Sequence, residues 1–210
     1  MEDGEKVLDI LAHHPSTANF ISRKLAQRFV ADIPPQSLVD KMAKTFLDTD
    51  GDIRAVMKAM LDSKEFWSQG AYQAKVKTPF ELVASSVRAL NGNVEDAFAL
   101  ANQVGNLGEP LYRKQEPTGY SNLNSDWINS AALLGRMNFA LALAQNKVPG
   151  VKVDVTRLNG DPNAIAKALL SRDISKQTQQ AIEKALQEKK EQSPALVAGL
   201  VIGSPDFQRR

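Results

Sequence analysis

Apolar residues recur along this chain at helical rather than strand spacing. In 53–61, Ile53, Val56, Met57, Met60 and Leu61 fall at offsets 0, 3, 4, 7 and 8, one stripe of an amphipathic helix. Leu38, Val39, Met42 and Phe46 give the preceding helix its face, and Ile21, Leu25 and Phe29 the one before. Phe80, Val83, Ala84, Val87 and Leu90 repeat the pattern, as do Leu133, Met137, Ala140, Leu141 and Ala144. Ile165 with Leu169, Ile182 with Leu186, and Leu196 with Leu200 and Val201 predict three more helices. Only Val151 to Val155 alternates, and a lone strand has no sheet to join, so it reads as an extended connector.

Proline marks the starts. Six of the 10 prolines (Pro15, Pro35, Pro79, Pro162, Pro194 and Pro205) stand where a helix begins, a position that needs no N–H. Four follow a capping residue: Thr78, Asp161, Ser193 and Ser204. Thr78 and Glu81 form a capping-box pattern. Asp52 caps the 53–61 helix, and Asn93 is expected to cap a helix that reaches Val104 and ends at Gly105 and Gly108. Residues 171–193, with Gln177, Gln179, Gln180 and Glu188 to Glu191, predict a solvated helix and then a loop. Met60 to Phe66 and Val201 to Phe207 each place Ser, an acid and Phe after a helix, one ending device used twice.

These elements predict an all-α fold: about nine or ten short helices in an irregular orthogonal bundle, little or no sheet, and one long ordered loop near 106–128. The expected organisation is a helical core region, 1–148, which includes the loop, with C-terminal helices, 149–210, packed on the same core as a single domain.

Composition narrows the chemistry more than it names it. The 210 residues are 43% hydrophobic and 24% charged, an ordinary globular balance. A formal net charge of +2 gives no argument for nucleic acid. With no Cys, disulfides, thiol nucleophiles and cysteine metal sites are excluded. No apolar run reaches the roughly 20 residues of a membrane span. The start, Met1 to Lys6, is acidic and polar, unlike a signal peptide, so the chain as given reads as cytoplasmic or as a piece of something longer.

Candidate chemistry is sparse. His13 and His14 are adjacent, so they cannot chelate jointly from one helix face, and they read as a helix junction. Asp48-Thr49-Asp50-Gly51-Asp52 resembles a calcium loop, but position 12 of such a loop would be Ala59, so it reads as a helix–turn–helix corner. No metal or cofactor is expected. Arg23, Lys24, Arg28, Lys75 and Lys77 are the densest basic positions and suit a solvated face or a phosphate or glycan site. No nucleophile elbow, phosphate loop or His-Glu-x-x-His is present. The loop concentrates aromatics instead: Tyr112, Tyr120 and Trp127 among Gly and Pro, suited to stacking on sugar or anchoring a protein, or to pinning the loop on the core. Arg136 on the next helix is placed to pair with an acidic group.

Gly4 to Asp9, His14 to Ala18, Lys24 to Val30, Pro34-Pro35, Phe66-Trp67 and Lys77 to Val83 resemble the later part of a bacterial family, domain-of-unknown-function family 1800. So do Gly108 to Tyr112, Pro117 to Tyr120, Trp127, Leu134 to Phe139 and Ser204 to Arg210, which together span nearly the whole chain. The resemblance implies longer members, many exported, often encoded beside a family that resembles phosphatases or sulfatases. It supplies no catalytic residues. On it, the chain is the C-terminal portion of an exported or periplasmic protein.

The resulting expectation is a non-catalytic binding or assembly module that contacts a protein or glycan partner through Tyr112, Tyr120, Trp127 and Arg136, without nucleic acid. The alternative is part of a hydrolase of an envelope polymer, completed by a preceding segment, with His14, Lys24 and Lys77 to test. Self-association is expected if a larger core has been cut.

Overall fold

The computed structural model describes residues 2–158, 161–189 and 193–210. Residues 159–160, and residues 190–192 of the polar stretch, lie outside the described residues. Among the described residues eleven α-helices carry the chain, and the all-α expectation holds. They are α1 (Glu2–Ala12), α2 (Pro15–Phe29), α3 (Gln36–Asp48), α4 (Ile53–Leu61), α5 (Pro79–Ala89), α6 (Ala97–Asn106), α7 (Ser130–Ala144), α8 (Pro162–Leu170), α9 (Lys176–Lys189), α10 (Pro194–Gly203) and α11 (Pro205–Gln208).

The start signals act as sequence chemistry requires. Pro15, Pro79, Pro162, Pro194 and Pro205 each open a helix, while Pro35 sits one residue earlier, at the cap of α3. The capping box at Thr78 and Glu81 is formed in both directions. Asp52 accepts from the backbone N–H groups of Arg54 and Ala55, and Asp161 from those of Asn163 and Ala164. Ser63 and Ser204 each donate to the carbonyl three residues back at 2.6 Å, so the two similar helix ends use one hydrogen bond.

Two local expectations are corrected. Asn93 does not cap α6; Asp96 does, accepting from Phe98 and Ala99. Asn93 is instead extended, and β1 (Asn93–Val94) pairs antiparallel with β2 (Val151–Lys152). The alternating 151–155 run thus has a partner, supplied by two residues with no strand signal of their own.

The chain divides into two compact units, Met1–Lys75 with Asn122–Asn124, and Val76–Ser121 with Ser125–Arg210. In the first unit α2, α3 and α4 pack together around Ala26, Leu38, Met42, Val56 and Met60. The α3 stripe read from the sequence (Leu38, Val39, Met42 and Phe46) is its inner face, and so are Val56 and Met60 of α4, whereas Ile53, Leu61 and Phe29 are exposed and α2 buries Ala18, Ser22 and Ala26 instead. Helix α1 buries none of its residues. At its end His13 donates from Nδ1 to the Asp9 carbonyl at 2.6 Å and from Nε2 to Asp50 at 2.5 Å when protonated.

In the second unit α10 is apolar all round and is wrapped by α7, α8, α9 and α11. It lies closest to α7 at Gly199, where a Cβ would stand 2.8 Å from Leu141 Cδ2 and 3.0 Å from Leu141 Cα. Leu82, Val87, Leu143, Ile165, Leu196 and Ile202 complete this core.

Gly199→Ala is expected to destabilise the second unit by about 1–3 kcal/mol, because one methyl overpacks the α7–α10 contact. Gly4→Ala, in open space on exposed α1, is expected to be neutral or slightly stabilising. Urea denaturation of both variants checks this; an unchanged midpoint for Gly199→Ala overturns it. His13 is raised above its ordinary 6.5, first by the Asp9 carbonyl and then by Asp50. The contact therefore favours the fold while His13 is protonated and is lost as pH rises through that raised value. A ring titration followed by NMR should show a midpoint above 6.5 that falls in Asp50→Asn.

Candidate functional site

The stretch 106–128 is a succession of turns whose side chains divide into two sets. Gly108 ends α6, and the Pro110 carbonyl accepts from Arg113 N–H in a turn that sets Tyr112 at φ +60°. A left-handed conformation is costly for a bulky residue. Tyr112 projects fully into solvent. Tyr120 is half-buried; its hydroxyl donates to the Pro110 carbonyl at 2.6 Å. Trp127 is only 8% exposed, donates to the Ser121 carbonyl at 3.0 Å, and has its ring 6.0 Å from that of Tyr120. Of the three aromatics, Tyr120 and Trp127 hold the second unit's loop in shape and Tyr112 faces outward.

Beside Tyr112 runs a groove of ≈ 460 Å³, lined by Phe98, Asn102, Asn106, Pro110, Leu111 and Arg113 among others. Phe98 is 85% exposed. Sequence reasoning missed it. The available signal was its place on α6, two residues before Leu100 and six before Val104, which puts it across the helix from the inner face.

Arg136 lies inside the second unit. It is 1% exposed and donates from Nη1 to the Lys77 carbonyl at 2.9 Å and to Gln208 Oε1 at 3.3 Å. Burial lowers its pKa, against the opposing charge of Glu109, but no ion pair to an acidic side chain forms among the described residues. Glu109, whose charge acts on Arg136, accepts instead from Phe80 N–H at 2.8 Å and so caps α5.

The alternative candidates are dispersed in role. His14 is the cap of α2 and accepts from Ser16 N–H at 3.1 Å. Lys24 is exposed, with its ammonium 5.5 Å from the Phe20 ring. Both belong to the first unit and Lys77 to the second. Lys77 is half-buried over the Phe207 ring at 3.7 Å and lines an open depression of ≈ 410 Å³ with Phe80, Glu81, Ser85, Arg88 and Arg210. Burial pushes its ammonium down to about 8, with Arg210 and Arg172 acting in the same direction and Glu81 against them.

Lys75, one of the basic cluster, is structural. Lys75 is 3% exposed, and its ammonium donates to Asp32 and to the Asn122 carbonyl. The other Asp32 oxygen accepts from Asn124 N–H at 2.8 Å, and the Asn124 amide donates to the Ala74 carbonyl at 2.8 Å. Every charge in this network has a partner, which is the condition for burying it. Among the described residues no cluster of three His, Asp or Glu is placed to hold a metal ion, and no helix is long and apolar enough to cross a membrane.

Residues 1–209 match the family described as "Protein of unknown function (DUF1800)". The chain belongs to this family. The resemblance read from the sequence is therefore shown over nearly its full length. Comparison with curated proteins and with solved structures finds no match. Membership in DUF1800 brings no activity with it.

Asp32→Ala strands the Lys75 ammonium in the interior and is expected to cost about 3–5 kcal/mol. Adding Lys75→Met should recover much of that loss by replacing the stranded charge with an apolar chain of similar length. Denaturant unfolding of the two variants is the measurement. Equal stability of Asp32→Ala and the parent chain would sink the assignment.

Proposed function

We propose that the chain is a non-catalytic helical binding module, and that its second unit takes a glycan chain along the groove framed by Phe98 and Tyr112. One observation carries this reading. A fully exposed tyrosine is held in a left-handed backbone position, where glycine is the easy residue, at the edge of a groove with a second exposed aromatic. Backbone strain kept at an exposed side chain favours a role for that side chain outside the fold. The aromatic rings offer stacking faces, and the Asn102 and Asn106 amides with Arg113 offer hydrogen bonds to hydroxyl groups. Such a surface suits an uncharged or weakly acidic oligosaccharide.

Tyr120 and Trp127 support the reading indirectly. Their hydrogen bonds to Pro110 and Ser121 fix the turn from which Tyr112 projects. They are positioning residues in this scheme, and Arg136 holds backbone rather than ligand.

The test titrates ¹⁵N-labelled chain with chito-oligosaccharides and with soluble peptidoglycan fragments. Shifts confined to 98–113 and at least a tenfold loss of affinity (about 1.4 kcal/mol) in Tyr112→Ala and Phe98→Ala are expected. Binding that ignores both substitutions overturns the groove. A protein captured by the parent chain and lost with Tyr112→Ala, in the absence of any glycan shift, replaces the glycan with a protein partner.

A further inference from the structure

We propose that Lys77 is an acyl-acceptor amine, modified by small anionic acyl donors of the acyl-phosphate class that enter the depression beside α5. The inference is independent of the glycan groove and rests on four features of the second unit.

Lys77 has no ion pair or hydrogen bond on its ammonium among the described residues. The carboxylate whose charge acts on Lys77 is committed elsewhere: Glu81 accepts from Thr78 N–H at 2.9 Å and from Arg210 at 3.2 and 3.1 Å. The lysine stem is also held in place. Its backbone N–H donates to the Gln208 carbonyl at 2.8 Å, its own carbonyl accepts from Arg136, and Nζ lies 3.7 Å from the centre of the Phe207 ring. Access exists, because the depression is open and measures ≈ 410 Å³. Its other charged lining groups, Arg88 and Arg210 against Glu81, leave it cationic, which draws an anionic reagent toward the amine.

Three charged groups bear on the Lys77 proton. Glu81 on α5 favours the ammonium. Arg210 and Arg172 oppose it, and Arg172 is itself paired with Asp206 at 3.5 Å. Burial outweighs these charges, against the Phe207 ring face, which favours the ammonium, so near neutral pH a larger share of Lys77 is the free amine than of an ordinary surface lysine.

The reaction balances without a redox partner. The lone pair of neutral Nζ attacks the carbonyl carbon of the acyl phosphate, and a C–N bond forms. The C–O bond to phosphorus-bound oxygen breaks with its electron pair, inorganic phosphate leaves, and the amine proton passes to water. The guanidinium groups at the rim meet the departing anion.

The experiment treats the folded chain with limiting acetyl phosphate between about pH 7 and pH 9 and measures acetylation of each lysine by peptide mass spectrometry. Lys77 is expected to react about tenfold faster than exposed Lys64 and Lys152, and to lose that advantage in urea. Its rate should level off above about pH 8, where the surface lysines still accelerate. Arg88→Gln should slow Lys77 toward acetyl phosphate but not toward neutral p-nitrophenyl acetate. Labelling of Lys77 no faster than Lys64 in a chain that is folded by circular dichroism overturns the proposal. An Arg88→Gln chain with unchanged acetyl phosphate reactivity overturns the anionic donor class.

Discussion

The second unit depends on burying a helix that has no polar side. Pro194–Gly203 carries no charged or amide side chain, so any face left uncovered would expose apolar surface. The surrounding elements supply that cover. Helix α7 approaches until Leu141 meets the bare Cα of Gly199, and α8, α9 and α11 take the remaining sides. Hydrophobic association drives this arrangement, and the missing side chain at Gly199 sets how near the backbones come. Lys77, Arg136 and Gln208 are brought together by the same packing, since α11 follows directly from the end of α10.

Much of this was legible in the sequence. The stripes of α3 and α4, the proline starts and the Thr78–Glu81 box follow from local chemistry, which neighbouring residues decide among themselves. The Asn93–Val94 pairing was not legible, because a two-residue strand has no period to read and its partner lies at 151–152. Neither was the unit boundary after Lys75, which depends on contacts distant in the chain.

The candidate surface was half legible for a related reason. Sequence locates aromatics in a loop but does not say which way each ring turns. Trp127 and Tyr120 have polar atoms that find backbone carbonyls within the loop, at Ser121 and Pro110, and so they turn inward. Tyr112 has its direction set by backbone φ. Arg136 misled in the opposite sense: a charged side chain suggests the surface, yet this one serves two oxygens of the backbone and of an amide inside the unit. Its long stem carries Nη1 to both oxygens, joining segments that no short polar residue would reach.

The Lys75 network has a consequence for the order in which the protein is made. The Lys75 ammonium is satisfied partly by the carbonyl of Asn122, 47 residues further along the chain. On a ribosome adding about 5–20 residues per second, that acceptor is synthesised roughly 2–10 s after the lysine. Until then the nascent first unit has α2, α3 and α4 but no full complement of acceptors around its buried cation. Vectorial synthesis therefore leaves the Lys75 ammonium without one of its two acceptors through this interval, and the first unit reaches its final form only after part of the second has left the ribosome.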